Sequence, residues 1–154
     1  MKIKYLLVLI LGAMLLVVGC SSNNTKLDPE LSGEGMTIFK SATCGCCGIF
    51  GQQMDDKGYN VDIQISSDLD SVKKKYKIPA HLQSCHTSVI GDYFVEGHVP
   101  SEAIEKLIKE KPDIAGIAMP GMPSGSPGMP GAKSGPFVIS AVHKDGSVTE
   151  FMRI

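Results

Sequence analysis

Met36-Thr37-Ile38-Phe39 is followed by Cys44-Gly45-Cys46-Cys47, and then by Ile49, Phe50 and Met54 at helical spacing as far as Gly58. The apolar run predicts a short strand, the cysteine stretch a turn, and the spaced apolar positions a helix that a glycine stops. Three of four consecutive residues are thus cysteines at one helix start. A helix N-terminus offers free N–H groups and partial positive charge, so thiols there ionise more readily and act as soft metal ligands or nucleophiles. Gly51, inside the predicted helix, costs about 1 kcal/mol of helix stability against Ala.

Working outward, residues 59–65 alternate, with Val61, Ile63 and Ile65 on one face, which predicts a second strand parallel to the first. Ser67 or Asp68 can cap a short helix bearing Leu69, Val72 and Tyr76 on one side, which ends at Ile78-Pro79. Its basic run, Lys73 to Lys75 with Lys77, reads as a solvated face. Residues 87–90 and 93–96 flank Gly91-Asp92, a hairpin whose Gly-Asp order suits a II′ turn. Pro100 opens a helix with Ile104, Leu107 and Ile108 on its buried face and Glu102–Lys106 and Glu105–Lys109 pairs outside. Residues 119–136 form a Gly/Pro/Ser loop, and 137–142 with 147–152 a last hairpin about Asp145-Gly146.

This order predicts an α/β fold of thioredoxin-like type, a mixed central sheet with flanking helices and an added C-terminal β-hairpin. In such a fold the cysteine turn faces the loop entering the third strand. Here that loop is Ser84-Cys85-His86, so Cys85 is expected to approach the cluster.

Residues 1–19 read as an export signal, with Lys2 and Lys4 before an apolar run at 5–18. Leu16-Val17-Val18-Gly19-Cys20 resembles the processing site of bacterial lipoproteins, which implies lipid on Cys20, a polar tether over 20–35 and a single domain at 36–154. The expected location is the cell envelope, membrane-anchored and facing the periplasm or the exterior. Formal net charge is −1, and nothing in it suggests nucleic acid as a partner. Of five cysteines, setting Cys20 aside leaves Cys44, Cys46, Cys47 and Cys85. An even count in an exported protein usually means disulfides. Adjacent Cys46 and Cys47 are awkward mutual partners, however, and the clustering favours a shared ligand. Four sulfurs suit Cu(I), zinc or an iron–sulfur centre, while the Cys44 to Cys47 spacing is also that of a thiol–disulfide oxidoreductase.

Cys44-Gly45-Cys46-Cys47-Gly48, Cys85-His86-Thr87, Val95-Glu96-Gly97-His98-Val99-Pro100, Met119-Pro120-Gly121-Met122-Pro123 and Gly125-Ser126-Pro127-Gly128-Met129 together resemble the CopG-like family of exported, thioredoxin-like copper-binding proteins. The family is distinct from the DNA-binding repressors of the same name. The resemblance spans roughly residues 36–153. It implies a copper-resistance protein that holds Cu(I), as one ion or several bridged by sulfur, on Cys44, Cys46, Cys47 and Cys85. Sequestration, transfer to or from partner proteins, and redox cycling are all compatible roles, and catalysis is not required.

Beside these cysteines, His86 is a candidate metal ligand or ligand partner, and Met119, Met122 and Met129 are candidate soft donors, thioethers needing no deprotonation. His98, just before a helix, reads first as a surface or capping residue and second as one within reach of the site, and His81 and His143 read as loop residues.

Overall fold

The computed structural model describes residues 28–154. The expected export signal, Cys20 and the first part of the tether lie outside the described residues. Leu31, in a 3-10 turn at Pro29–Leu31, is buried in the main core although it precedes residue 36, where the sequence reading starts the domain.

Strand β1 (Gly35–Lys40) leads through the cysteine turn into helix α1 (Gly45–Lys57), and β2 (Asn60–Ile65) returns parallel to β1. Gly58 closes α1 at φ 117°, and its N–H donates to the carbonyls of Asp55 and Met54. Gly51 gains an explanation. A Cβ there would stand 3.0 Å from Ile63 Cδ1 and 3.3 Å from Ile38 Cδ1, so its absence lets the helix settle closely on the sheet.

Helix α2 (Leu69–Lys75) is capped by Asp68, whose carboxylate accepts the Ser71 N–H at 3.0 Å. Strands β3 (His86–Ile90) and β4 (Tyr93–Glu96) pair antiparallel. Their turn has Gly91 at φ 54° followed by a residue outside the positive-φ region, the sign pattern of the expected II′ turn. Helix α3 (Ser101–Glu110) buries Ile104, Leu107 and Ile108 as expected, each worth about 1.5–3 kcal/mol of transfer free energy. The strands β5 (Gly116–Ala118), β6 (Val138–Val142) and β7 (Val148–Arg153) complete one sheet of order β2-β1-β3-β4-β5-β6-β7. β1–β2 and β4–β5 are its parallel pairs. The β2-β1-β3-β4 half, with three helices, is the thioredoxin-like arrangement, and the final hairpin extends it through β5.

β2 forms where expected, and as an edge strand only partly covered by α1 it leaves Ile63 and Ile65 41% and 59% exposed. Three local readings need correction. β5 went unread because three buried residues between a helix and a Gly/Pro loop carry no period. Lys73 is buried, not solvated, since it has a carboxylate partner inside. The surface pairs on α3 also differ, with Lys106 on Glu110 and Lys109 on Asp28.

Candidate metal centre

The β1–β3 pairing decides where the sulfurs go. Lys40 lies opposite His86, so the end of β1, which feeds the cysteine turn, and the start of β3, which follows Cys85, meet at one sheet end. Cys44 is the N-cap of α1, and Cys46 and Cys47 occupy its first turn. One ligand atom from each of Cys44, Cys46, Cys47 and Cys85 falls within 4.8 Å of every other. The same holds for a second, overlapping set of Cys47, Cys85, His86 and His98. Cys47 is fully buried, and Cys44, Cys46 and Cys85 are half-buried.

Cys44 and Cys47 are joined as a disulfide, with Cα atoms 5.4 Å apart. Cys46 and Cys85 remain thiols. Cys46 Sγ lies 3.6 Å from Cys44 Sγ, and Cys47 Sγ lies 3.8 Å from the Cys85 carbonyl oxygen. A disulfide sulfur is not a thiolate ligand, so four-sulfur coordination requires two electrons to open this bond to two thiolates, which take up two protons when no metal is bound. The site therefore has an oxidised form with two thiols and a reduced form with four.

His98 is the residue that sequence reasoning misplaced. It is fully buried, with Nδ1 2.7 Å from the Pro127 carbonyl and Nε2 3.0 Å from Cys85 Sγ. A carbonyl only accepts, so Nδ1 carries the proton and Nε2 turns its lone pair to the Cys85 thiol. A signal for this was present. The two-residue turn at Gly91-Asp92 pairs Thr87 with Glu96, which brings His86 beside Gly97-His98. His86 is also fully buried, with Nδ1 3.5 Å from Cys85 Sγ. Its ring centroid lies 4.5 Å from that of Phe50 and 4.8 Å from that of His98.

Burial depresses His86 to about 3, and the charges of His98 and Lys73 add to the effect. Burial also lowers His98, against the opposing pull of its bond to Pro127. Burial raises the Cys85 thiol, and neighbouring Cys46 reinforces the rise. Two neutral imidazoles thus stand beside the distal sulfur. The Nε2 of His86 is buried without a hydrogen-bond partner, on the ring whose Nδ1 faces Cys85 Sγ. The donor set fits a thiophilic or borderline metal such as copper and excludes hard cations, which take oxygen.

The Gly/Pro loop covers this corner. Gly128, at φ 80°, approaches α1 so closely that a Cβ would lie 2.6 Å from the Cys46 carbonyl oxygen and 2.9 Å from the Phe50 nitrogen. Its N–H donates to Gln53 at 2.7 Å. The three loop methionines diverge: Met119 is packed in the core, Met122 is 54% exposed, and Met129 is half-buried. His81 is exposed, and His143 contacts Thr149 on the hairpin, away from the cysteines as expected.

A family model described as "Protein of unknown function, DUF411" matches residues 82–129, which hold Cys85, His86, His98 and the loop methionines. No curated protein matches the chain. Two solved structures of the copper resistance protein CopG, Form 1 and Form 2, superpose with TM-scores of 0.74 and 0.75. Each is 34% identical and covers 80% of this chain, with 98% and 99% of their own chains covered. Fold, sulfur convergence and this degree of identity agree: the chain belongs to the CopG copper resistance protein family.

Proposed function

We propose that this protein holds Cu(I) in the cluster formed by Cys44, Cys46, Cys47 and Cys85, and that it serves copper resistance by sequestering, transferring or redox cycling the metal. The observation that carries this reading is the convergence of four sulfurs, from segments 38 residues apart, within 4.8 Å. Thiolates in such a nest stabilise the monovalent ion, and bridging sulfurs can serve more than one. Loading follows reduction of the Cys44–Cys47 disulfide by an external dithiol, which is itself oxidised to a disulfide, and releases protons as the thiols become ligands. His86 and His98 supply nitrogen on the distal side. Exposed Met122, and the half-buried Met129, suit receipt of Cu(I) from a donor protein or delivery to an acceptor. Lipid on Cys20 would hold the domain at an envelope membrane.

Titration of the reduced, oxygen-free protein with Cu(I) against a chromophoric chelator tests this. At least one equivalent should resist the chelator, and Cys85→Ser should lose most of that retention. Equal retention by Cys85→Ser would remove the distal sulfur from the site.

A second reading is favoured by the Cys44–Cys47 disulfide itself, which sits at the helix start of a thioredoxin-like fold. Under it the protein exchanges thiols and disulfides without metal. Insulin reduction by the metal-free dithiol form, unaffected in Cys85→Ser, would decide for exchange.

A further inference from the structure

Between α2 and the distal sulfur lies a charged pair that neither coordination nor packing explains. Glu96, the last residue of β4, is fully buried, and Lys73, reaching in from α2, is 4% exposed. They form an ion pair through Glu96 Oε1. The same oxygen accepts the Ser84 N–H at 2.6 Å, and Oε2 accepts the Thr87 hydroxyl, also at 2.6 Å. Lys73 Nζ donates in addition to Thr87 Oγ1 at 3.2 Å.

One carboxylate therefore grips the chain at Ser84 and again at Thr87. The only residues between these points are Cys85 and His86. Ser84 is held further by its hydroxyl, which donates to the Gly121 carbonyl at 2.9 Å. Gly97, at φ 81°, lets the backbone after β4 close on the same residue, because a Cβ there would lie 2.9 Å from Ser84 Cβ and Oγ. A buried ion pair is weak as a stabiliser, since desolvation offsets its attraction and apolar residues of equal volume often serve as well. What apolar residues cannot do is accept two hydrogen bonds at fixed positions.

We propose that Glu96 is a positioning residue for the distal sulfur: its carboxylate pins both ends of segment 84–87 and so fixes Cys85 and His86 against the cysteine helix. Lys73 neutralises the charge that this grip brings inside. The proposal rests on the reading of Cys85 as a copper ligand, but its geometric core stands without metal.

Two double variants in one neutral background isolate the grip from the charge. Lys73→Met with Glu96→Gln keeps an acceptor for the Ser84 N–H, whereas Lys73→Met with Glu96→Met removes it. In the reduced, metal-free full chain, the alkylation rate of Cys85 relative to Cys46 is measured by peptide mass spectrometry, with circular dichroism as the folding control. The Gln variant should stay within about twofold of wild type, and the Met variant should alkylate Cys85 about tenfold faster and retain Cu(I) about tenfold less well. Equal Cys85 rates in both variants and in wild type would overturn the proposal. If the Met variant does not fold, Thr87→Val decides, since it removes the Oε2 bond with little change of shape. A Cys85 rate raised about threefold supports the grip, and an unchanged rate overturns it. If wild type retains no Cu(I) while this rate pattern holds, the copper reading fails and the positioning role stands.

Discussion

His98 faces Cys85 across 3.0 Å, with its other ring nitrogen fixed on the Pro127 carbonyl. The covering loop thereby sets the tautomer of the imidazole that meets the distal thiol. A side chain that read as a surface residue joins two parts of the site.

His98→Phe is expected to weaken Cu(I) retention about 10- to 100-fold, the usual range for losing a group that orients a ligand. It also strands the Pro127 carbonyl, at a cost of about 1–3 kcal/mol. Chelator competition and urea unfolding read the two effects separately. Retention equal to wild type would remove His98 from the site.

The Cys44–Cys47 bond predicts a thiol count. Without reductant, two of the four domain cysteines should react with a thiol reagent, and after reduction all four. Mass mapping should place the two early labels on Cys46 and Cys85. Labels on Cys44 or Cys47 before reduction would contradict the pairing.

Both site histidines titrate below their ordinary value in the fold, His86 to about 3. As pH falls below about 6.5 the unfolded chain takes up these protons first, so stability is complete above that value and declines toward acid. The slope is up to ~1.4 kcal/mol per pH unit for each histidine. Buried Glu96, whose value is raised by burial against its three donors, opposes this near the carboxylate range. The urea midpoint of the metal-free protein should therefore drop between pH 7 and pH 5, less so in His86→Leu. A midpoint that stays level over that interval would count against a buried neutral pair.

Gly128→Ala should destabilise the domain by about 1–3 kcal/mol, because the position has φ 80° and no room beside the Cys46 carbonyl. Gly135→Ala is the control, with open space around it and an effect within about 0.5 kcal/mol. Similar urea midpoints for the two variants would show that the loop yields without cost.

Local periodicity and turn chemistry made much of this legible. The β1–α1 unit, the II′ hairpin and the buried stripe of α3 each follow from spacing of a few residues, and the thioredoxin-like order then placed Cys85 near the cluster. What stayed hidden depends on tertiary neighbours. Lys73 sits within a run of lysines, and only the arrival of Glu96 from another element makes its burial tolerable. β2 alternates as a half-buried strand does, yet its place at the sheet edge leaves the apolar side chains partly in water. His98 carried no period of its own, though hairpin arithmetic pointed to it.

The opposition of Lys40 and His86 in the sheet has a consequence for lifetime. An ion shared by Cys47 and Cys85 would act as a staple across 38 residues. By the chain-entropy relation for cross-links, closing a loop of that length is worth about 4 kcal/mol. Proteases attack opened chains, so the supply of the ion would govern how long each polypeptide survives.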